Sequence, residues 1–154
     1  HEVELVVAIG TGGDNIPVED AEAHIYGYAV GNDLTRRDLQ KASREQGRPW
    51  DTAKAFDQSA PISAIRAVAD SGHIRNGEIS LSVNGEIRQR GDIEDLIWSV
   101  PEIIAELSTL FSLAPGDLIF TGTPAGVGAV APGDSMVGSI AGLDDLTTRI
   151  AERR

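Results

Sequence analysis

The dipeptide Asn84-Gly85 leaves its neighbours few conformational choices. Apolar and polar residues alternate before it in Ile79-Ser80-Leu81-Ser82-Val83, and Glu86-Ile87-Arg88-Gln89 follows it. Asn-Gly favours the two left-handed positions of a type I′ turn, whose twist matches that of two antiparallel strands. The segment therefore predicts a β-hairpin across residues 79–89.

Hydrophobic periodicity and turn residues predict the other secondary-structure elements. A helix is predicted near residues 100–111, because Ser99 and Glu102 have the spacing of a capping box with an early proline between them. Residues 47–72 form a long irregular segment. Many short strands with two or three helices indicate a β-rich, mixed α+β fold rather than a doubly wound sheet. The remaining predicted elements are strands at 3–9, 26–30, 117–120, 136–140 and 146–150, a short helix after Pro17 and a polar helix over 34–46.

Length, charge and composition narrow the class of protein. The 154 residues suffice for one domain, and a net charge of -11 without a cluster of Lys and Arg argues against a nucleic-acid partner. No stretch approaches the roughly 20 apolar residues of a membrane span, and no signal-peptide pattern is present. Cysteine is absent, so a bound metal would need oxygen or imidazole ligands, and we expect a cytoplasmic protein without a membrane partner.

The first residues carry a pair of carboxylates that could bind a cation. Glu2 and Glu4 are two positions apart, so their side chains can share one face of a strand about 7 Å apart. A cation would relieve their repulsion, although such a pair is also typical of a solvent-facing polar edge. Asp33 follows Gly31-Asn32 at the end of the next strand, either as a functional residue or as a helix N-cap. Three carboxylates without sulfur would select Mg²⁺, Mn²⁺ or Ca²⁺.

Three other features have both a functional and a structural interpretation. Lys54 lies among small and apolar neighbours, and in the structural interpretation its ammonium group reaches water. The glycine-rich TGTPAGVG at 121–128 lacks the ending of a P-loop and does not match GxGxxG, which favours a tight surface loop. His1, His24 and His73 have no ligand spacing, so surface or capping roles are favoured for them.

Five segments, in this order along nearly the whole chain, resemble the fumarylacetoacetate hydrolase family. The GRPW and KAFDQSAP segments are most similar to its acylpyruvase branch, although Ser63-Ala64 stands where such members usually have Gly-Pro. The five segments are HEVEL (1–5), GYAVGNDLTRRDLQ (27–40), KAFDQSAP (54–61), VNGEIRQ (83–89) and APGDLIFTGTPAGVG (114–128).

The resemblance implies a β-rich fold peculiar to the family, a single catalytic domain over residues 1–154 and a homodimer. It also implies a further N-terminal stretch in family members, with a mobile lid whose His/Glu pair activates water, and we expect this chain to begin after that stretch. The implied ligands of a Mg²⁺ or Mn²⁺ ion are Glu2, Glu4 and Asp33. The implied substrate contacts are Gln40, Lys54 and Thr123, of which Lys54 would also act in catalysis.

The resemblance further implies hydrolysis of a carbon–carbon bond in a 2,4-dioxo acid, an acylpyruvate such as fumarylpyruvate, during the degradation of aromatic compounds. The metal would chelate the 2-oxo acid end and stabilise the departing pyruvate enolate, with Lys54 adding positive charge beside it. Groups around Thr123 would bind the carboxylate. No residue of the chain is a convincing base for water, so we expect metal and analogue binding with poor turnover.

Two other functions are compatible with the same residues. The metal and Lys54 could catalyse isomerisation or decarboxylation of a 2-oxo diacid, because both reactions pass through an enolate and need no attack by water. Alternatively, the chain could be a non-catalytic fragment that binds metal and self-associates. Product analysis separates the first alternative from hydrolysis.

Overall fold

The structure, a computed structural model, describes residues 1–152. Within these residues, eight strands form two four-stranded sheets in which every pairing is antiparallel. The mixed, β-rich fold predicted from the sequence is therefore confirmed. In order across the first sheet, the strands are β3 (Arg66–Ala67), β2 (Ile25–Asn32), β1 (Val3–Ile9) and β6 (Leu118–Phe120). In order across the second sheet, they are β5 (Glu86–Asp92), β4 (Glu78–Val83), β7 (Ser135–Ile140) and β8 (Leu146–Arg149).

The predicted hairpin forms one edge of the second sheet. Asn84 and Gly85 both have positive φ, 52° and 84°, as a type I′ turn requires. The Asn84 side chain fixes the turn further, because its amide donates to Asp134 at 2.8 Å and its carbonyl accepts from the Ser135 main chain at 3.0 Å. The turn thereby connects β4 and β5 with the start of β7.

The core lies between the two sheets. Alternate residues of β1 face the second sheet, and Val3, Leu5 and Val7 are fully buried there. The sheets approach closely at Gly138 of β7, since a Cβ atom at this position would lie 3.1 Å from a methyl group of Val30 and 3.2 Å from one of Val3. The other face of β1 is buried as well, and all seven residues of the strand are at most 5% exposed. The first sheet is thus covered on both faces at its centre.

The described part of the chain also contains four helices, together with 3₁₀ turns at Val18–His24 and Ile93–Asp95. The helix predicted over 34–46 begins only at residue 37, because Arg36 precedes it in a non-helical conformation. The segment predicted to be irregular contains two single-turn helices and the short strand β3. None of the helices in residues 1–152 is long and apolar enough to cross a bilayer. The helices are α1 (Arg37–Glu45), α2 (Asp51–Lys54), α3 (Val68–Ser71) and α4 (Val100–Leu110).

Candidate metal and substrate site

Antiparallel pairing brings three chain segments to one end of the first sheet. Val3 pairs with Asn32, so the start of β1 lies beside the end of β2. The main-chain amide of Asp33 donates to the Glu2 carbonyl at 2.8 Å and extends this pairing. Strand β6 also runs antiparallel to β1, and the loop that follows it at Thr121 therefore reaches the same end.

Three carboxylates converge where these segments meet. Glu2, Glu4 and Asp33 each offer one oxygen atom, and these oxygens all lie within 4.8 Å of one another. Glu2 and Glu4 are only 8% and 5% exposed, so the interpretation of this pair as a solvent-facing edge is wrong. Asp33 does not cap a helix either, because α1 begins four residues later with Arg36 at its N-cap.

Two basic side chains contact the carboxylate cluster. Lys54, the last residue of α2, donates from Nζ to Glu2 Oε2 at 2.8 Å and to Asp33 Oδ2. The Lys54 side chain is 25% exposed, but its ammonium group pairs with these two carboxylates and so belongs to the cluster. Arg37 Nη2 donates to the other oxygen of Glu2 at 2.5 Å. Both oxygens of Glu2 thus accept from cations, whereas Glu4 forms no salt bridge within the described residues.

The other two predicted site residues adjoin this cluster. Gln40 lies one turn after Arg37 on α1 and accepts from Arg37 Nη1 at 2.7 Å, so it reaches the carboxylates through that arginine. Thr123 follows Gly122, whose main-chain amide donates to Glu4 Oε2 at 2.7 Å. The structure therefore brings together the six residues that the sequence analysis proposed for metal and substrate. Arg37 was missed, although its spacing of three residues from Gln40 on a polar helix places both on one face.

The two glutamates of the cluster differ in their pKa values. Burial opposes ionisation of Glu2, but the hydrogen bonds from Lys54 and Arg37 outweigh it and lower its pKa. Burial raises the pKa of Glu4 to about 7. The hydrogen bond from the Gly122 amide opposes this increase, and the neighbouring charges of Asp33 and Glu2 add to it. Burial tends to lower the pKa of Lys54, yet its bonds to Asp33 and Glu2 raise it. Lys54 is thus a cation at neutral pH, and Glu4 is the carboxylate that lacks a positive partner.

This donor set fits a hard divalent cation. All three groups supply carboxylate oxygen, which Mg²⁺ and Mn²⁺ prefer. Burial is the main cause of the raised pKa of Glu4, and the charges of Asp33 and Glu2 add to it, so a cation bound here would favour the ionised carboxylate. Three protein oxygens also leave room in an octahedral coordination shell for the oxygens of a ligand.

Gly31 lies beside Glu4 in the first sheet, where Val6 and Phe120 pack against it. Gly31 and Glu4 are direct partners in the β1–β2 pairing, so no side chain opposes the carboxylate on that face. A Cβ atom at position 31 would lie 2.5 Å from a Val6 methyl group and 2.6 Å from the Phe120 ring. This part of the site therefore requires glycine for packing reasons.

The three histidines have separate environments. His1 is 5% exposed, so the expected surface position is wrong for this residue, and its Nδ1 lies 2.9 Å from Gln89 Oε1. His24 bonds the Thr11 carbonyl at the surface, as expected. His73 contacts the buried Tyr28 hydroxyl at 3.1 Å.

Two cavities flank the cluster. One of about 480 Å³ is lined by Thr121–Pro124, by apolar side chains that include Ile97 and Trp98, and by Asp92 and Asp95. The other, about 640 Å³, is lined by His1, Arg36, Arg37 and Asp38 together with Thr35 and apolar residues. Of the two, the second is the one that presents arginine side chains to a ligand.

A buried carboxylate cluster at one end of a two-sheet α+β fold defines a protein with a candidate site for a divalent cation and an anionic ligand. The chain belongs to the fumarylacetoacetate hydrolase C-terminal family, whose model matches residues 1–151. Its similarity to a fumarylpyruvate hydrolase of a Ralstonia species is 46% identity over 97% of this chain and 78% of that protein. It is 44% identical to an oxaloacetate tautomerase of Escherichia coli, over 97% of this chain and 68% of the relative.

A solved structure in the same family is also very similar. A fumarylpyruvate hydrolase of Pseudomonas aeruginosa, crystallised in complex with Mn²⁺ and pyruvate, superposes with a TM-score of 0.97 at 57% identity. The match covers 99% of this chain but only 65% of the Pseudomonas chain. The chain thus spans about two thirds of that protein's length.

Proposed function

We propose that the chain carries the metal and substrate site of an acylpyruvate hydrolase, which cleaves a carbon–carbon bond in a 2,4-dioxo acid such as fumarylpyruvate and releases pyruvate. The observation that carries this proposal is the meeting of Glu2, Glu4 and Asp33 within 4.8 Å, with Lys54 Nζ bonded to two of them. Similarity to two fumarylpyruvate hydrolases, one of them crystallised with Mn²⁺ and pyruvate, supports it.

The residues of the chain would act by binding and charge stabilisation. A divalent ion held by Glu2, Glu4 and Asp33 would polarise the 2-oxo group of the substrate. The Lys54 ammonium group would stabilise negative charge that develops on the departing pyruvate unit. Thr123 and the neighbouring amides would bind the pyruvate carboxylate, and Gln40 and Arg37 would orient the acyl portion.

The proposed substrate, fumarylpyruvate, is chosen because its charge complements that of nearby arginine side chains. Fumarylpyruvate carries a second carboxylate at its acyl end. The guanidinium groups of Arg36 and Arg37, in the cavity that Asp38 also lines, would neutralise that charge. The whole protein would be a homodimer, as the family resemblance implies. Exposed apolar side chains at the end of α4, Leu110 and Phe111, are 66% and 63% exposed and would suit such an interface.

A second candidate function is enol–keto tautomerisation of oxaloacetate. Relatives of 44% and 39% identity carry that activity in their names, and the reaction needs charge stabilisation of an enolate without attack by water. In that reaction, the same carboxylates would hold the metal ion and Lys54 would stabilise the enolate charge.

Product analysis separates these candidates. The whole protein that contains this chain is loaded with Mn²⁺ and incubated with fumarylpyruvate, while pyruvate and fumarate are quantified. Loss of oxaloacetate enol absorbance is followed in parallel. Stoichiometric pyruvate and fumarate, lost in Lys54→Met, would support the hydrolase. Enol decay without any fumarylpyruvate cleavage would contradict it and favour the tautomerase.

A further inference from the structure

Gln89, the last residue of the VNGEIRQ segment, is a buried polar side chain without an assigned role. It lies on β5 in the second sheet and is 1% exposed. Its carboxamide nevertheless reaches the site on the first sheet, because it contacts both the start of β1 and the loop after β6. Gln89 thus connects the strand of Glu2 and Glu4 with the loop of Thr123.

The orientation of the Gln89 carboxamide follows from its main-chain partners. The Val3 amide can only donate, so the atom 3.1 Å from it must be the oxygen Oε1. The Pro124 carbonyl can only accept, so the atom 2.9 Å from it must be the nitrogen Nε2. His1 Nδ1 then donates to Oε1 at 2.9 Å. The orientation is therefore fixed without any choice between alternative amide rotamers.

This orientation determines how the Thr123 hydroxyl is used. Gln89 Nε2 lies 2.8 Å from Thr123 Oγ1 and has only hydrogens to offer, so the hydroxyl oxygen must accept. The hydroxyl hydrogen then remains available to another acceptor. A ligand carboxylate is such an acceptor, and a hydrogen bond to a charged group is worth more than one to a neutral group.

We infer that Gln89 is a positioning residue: it holds Thr123 as a hydrogen-bond donor to the carboxylate of a bound 2-oxo acid. The inference rests on the proposed function, which places that carboxylate at Thr123. Gln89 acts through Thr123 and does not touch the ligand itself.

A double-mutant cycle tests the inference with oxalate as the probe. Oxalate binding to the Mn²⁺-loaded chain is measured by calorimetry for wild type, Thr123→Val, Gln89→Met and the double variant. Each single variant is expected to weaken oxalate binding about tenfold, the effect of one hydrogen bond to a charged group. The double variant should be no weaker than Thr123→Val alone, whereas Thr123→Ser should bind like wild type.

Two further measurements distinguish positioning from structural support. Gln89 also bonds Val3, between the two glutamates, so a residue that only stabilised β1 would weaken Mn²⁺ binding together with oxalate binding. We expect Mn²⁺ affinity to stay within about twofold of wild type. If Gln89→Met fails to fold, Gln89→Glu is the second variant, because it keeps the size of the side chain. Its carboxylate cannot donate to Thr123. Oxalate binding should fall at least as far in this variant.

The matched control is Ser108→Ala. This change removes a buried hydroxyl of α4 that accepts a hydrogen bond from the Ile16 main-chain amide, away from the site. It should lower the melting temperature and leave oxalate affinity unchanged. Additive losses in the double variant, or unchanged oxalate binding in Gln89→Met and Gln89→Glu, would overturn this inference and leave the proposed placement of the carboxylate at Thr123 unaffected. Unchanged oxalate binding in Thr123→Val would overturn it together with the proposed placement of the carboxylate.

Discussion

Glu2 and Glu4 are chemically identical side chains two residues apart, yet they differ in what balances their charge. Glu2 accepts from Lys54 and Arg37, whereas Glu4 accepts only from the Gly122 amide among the residues that the structure describes. An incoming cation would therefore change the protonation of Glu4 most. The sequence alone could not distinguish the two residues, because Arg37 and Lys54 lie 35 and 52 positions away from Glu2.

Binding of Mn²⁺ should release a proton from Glu4. Its pKa in the folded chain is about 7, above the ordinary value of 4.5, so Glu4 is largely protonated at pH 6 and ionised at pH 8.5. The metal needs the ionised form, so its apparent affinity should rise with pH up to about 7 and then level off. Calorimetry in buffers of different ionisation enthalpy should give about one proton released per ion at pH 6 and almost none at pH 8.5. Equal release at both pH values would contradict the raised pKa.

Lys54 should contribute to binding of the oxo acid through its charge. In the Mn²⁺-loaded chain, Lys54→Met should weaken oxalate binding by about 1 to 3 kcal/mol, the range for a hydrogen bond to a charged group. Calorimetric titration measures the change, and an intact melting transition shows that the fold survives. Lys41→Met is the matched control, because Lys41 lies on the exposed side of α1. Unchanged oxalate affinity in Lys54→Met would exclude Lys54 from the site.

At the scale of single elements, β1 and the hairpin could be predicted from sequence because their signals are local. Strand β1 was predicted with its observed bounds, and Asn84-Gly85 adopts the predicted turn. The burial of β1 on both faces could not be predicted, since it depends on which later segments cover the first sheet. The same reason explains the missed burial of His1, which contacts Gln89 from the other sheet.

The hairpin turn should be sensitive to loss of glycine. Gly85 has φ of 84° and open space around its Cα, so alanine there would be strained by its backbone conformation without any steric clash. We expect Gly85→Ala to lower the free energy of unfolding by about 1 kcal/mol, the cost of a left-handed non-glycine residue. Chemical denaturation measures it, and Mn²⁺ binding serves as the control that the distant site is intact. A stability equal to that of wild type would contradict the turn assignment.

At the scale of the whole molecule, the site depends on pairings that are remote in sequence. Its proposed ligands come from positions 2, 4 and 33, while Gly122 is 118 residues away from the glutamate that it contacts. Residue type and spacing alone could indicate the carboxylates as a candidate metal site. The substrate-binding roles of Gln40, Lys54 and Thr123 were predicted from the family resemblance. Neither source indicated that Arg37 and Gln89 connect these residues.

Direct titration of metal tests the central claim, that Glu2, Glu4 and Asp33 form one cation site. Mn²⁺ is titrated at pH 8 into wild type, Glu4→Gln and the matched control Glu106→Gln, whose glutamate is exposed on α4. The expected result is one ion per chain in wild type and control, because three carboxylates leave an octahedral ion open to further ligands, and no measurable binding in Glu4→Gln. Equal affinity in wild type and Glu4→Gln would contradict the site.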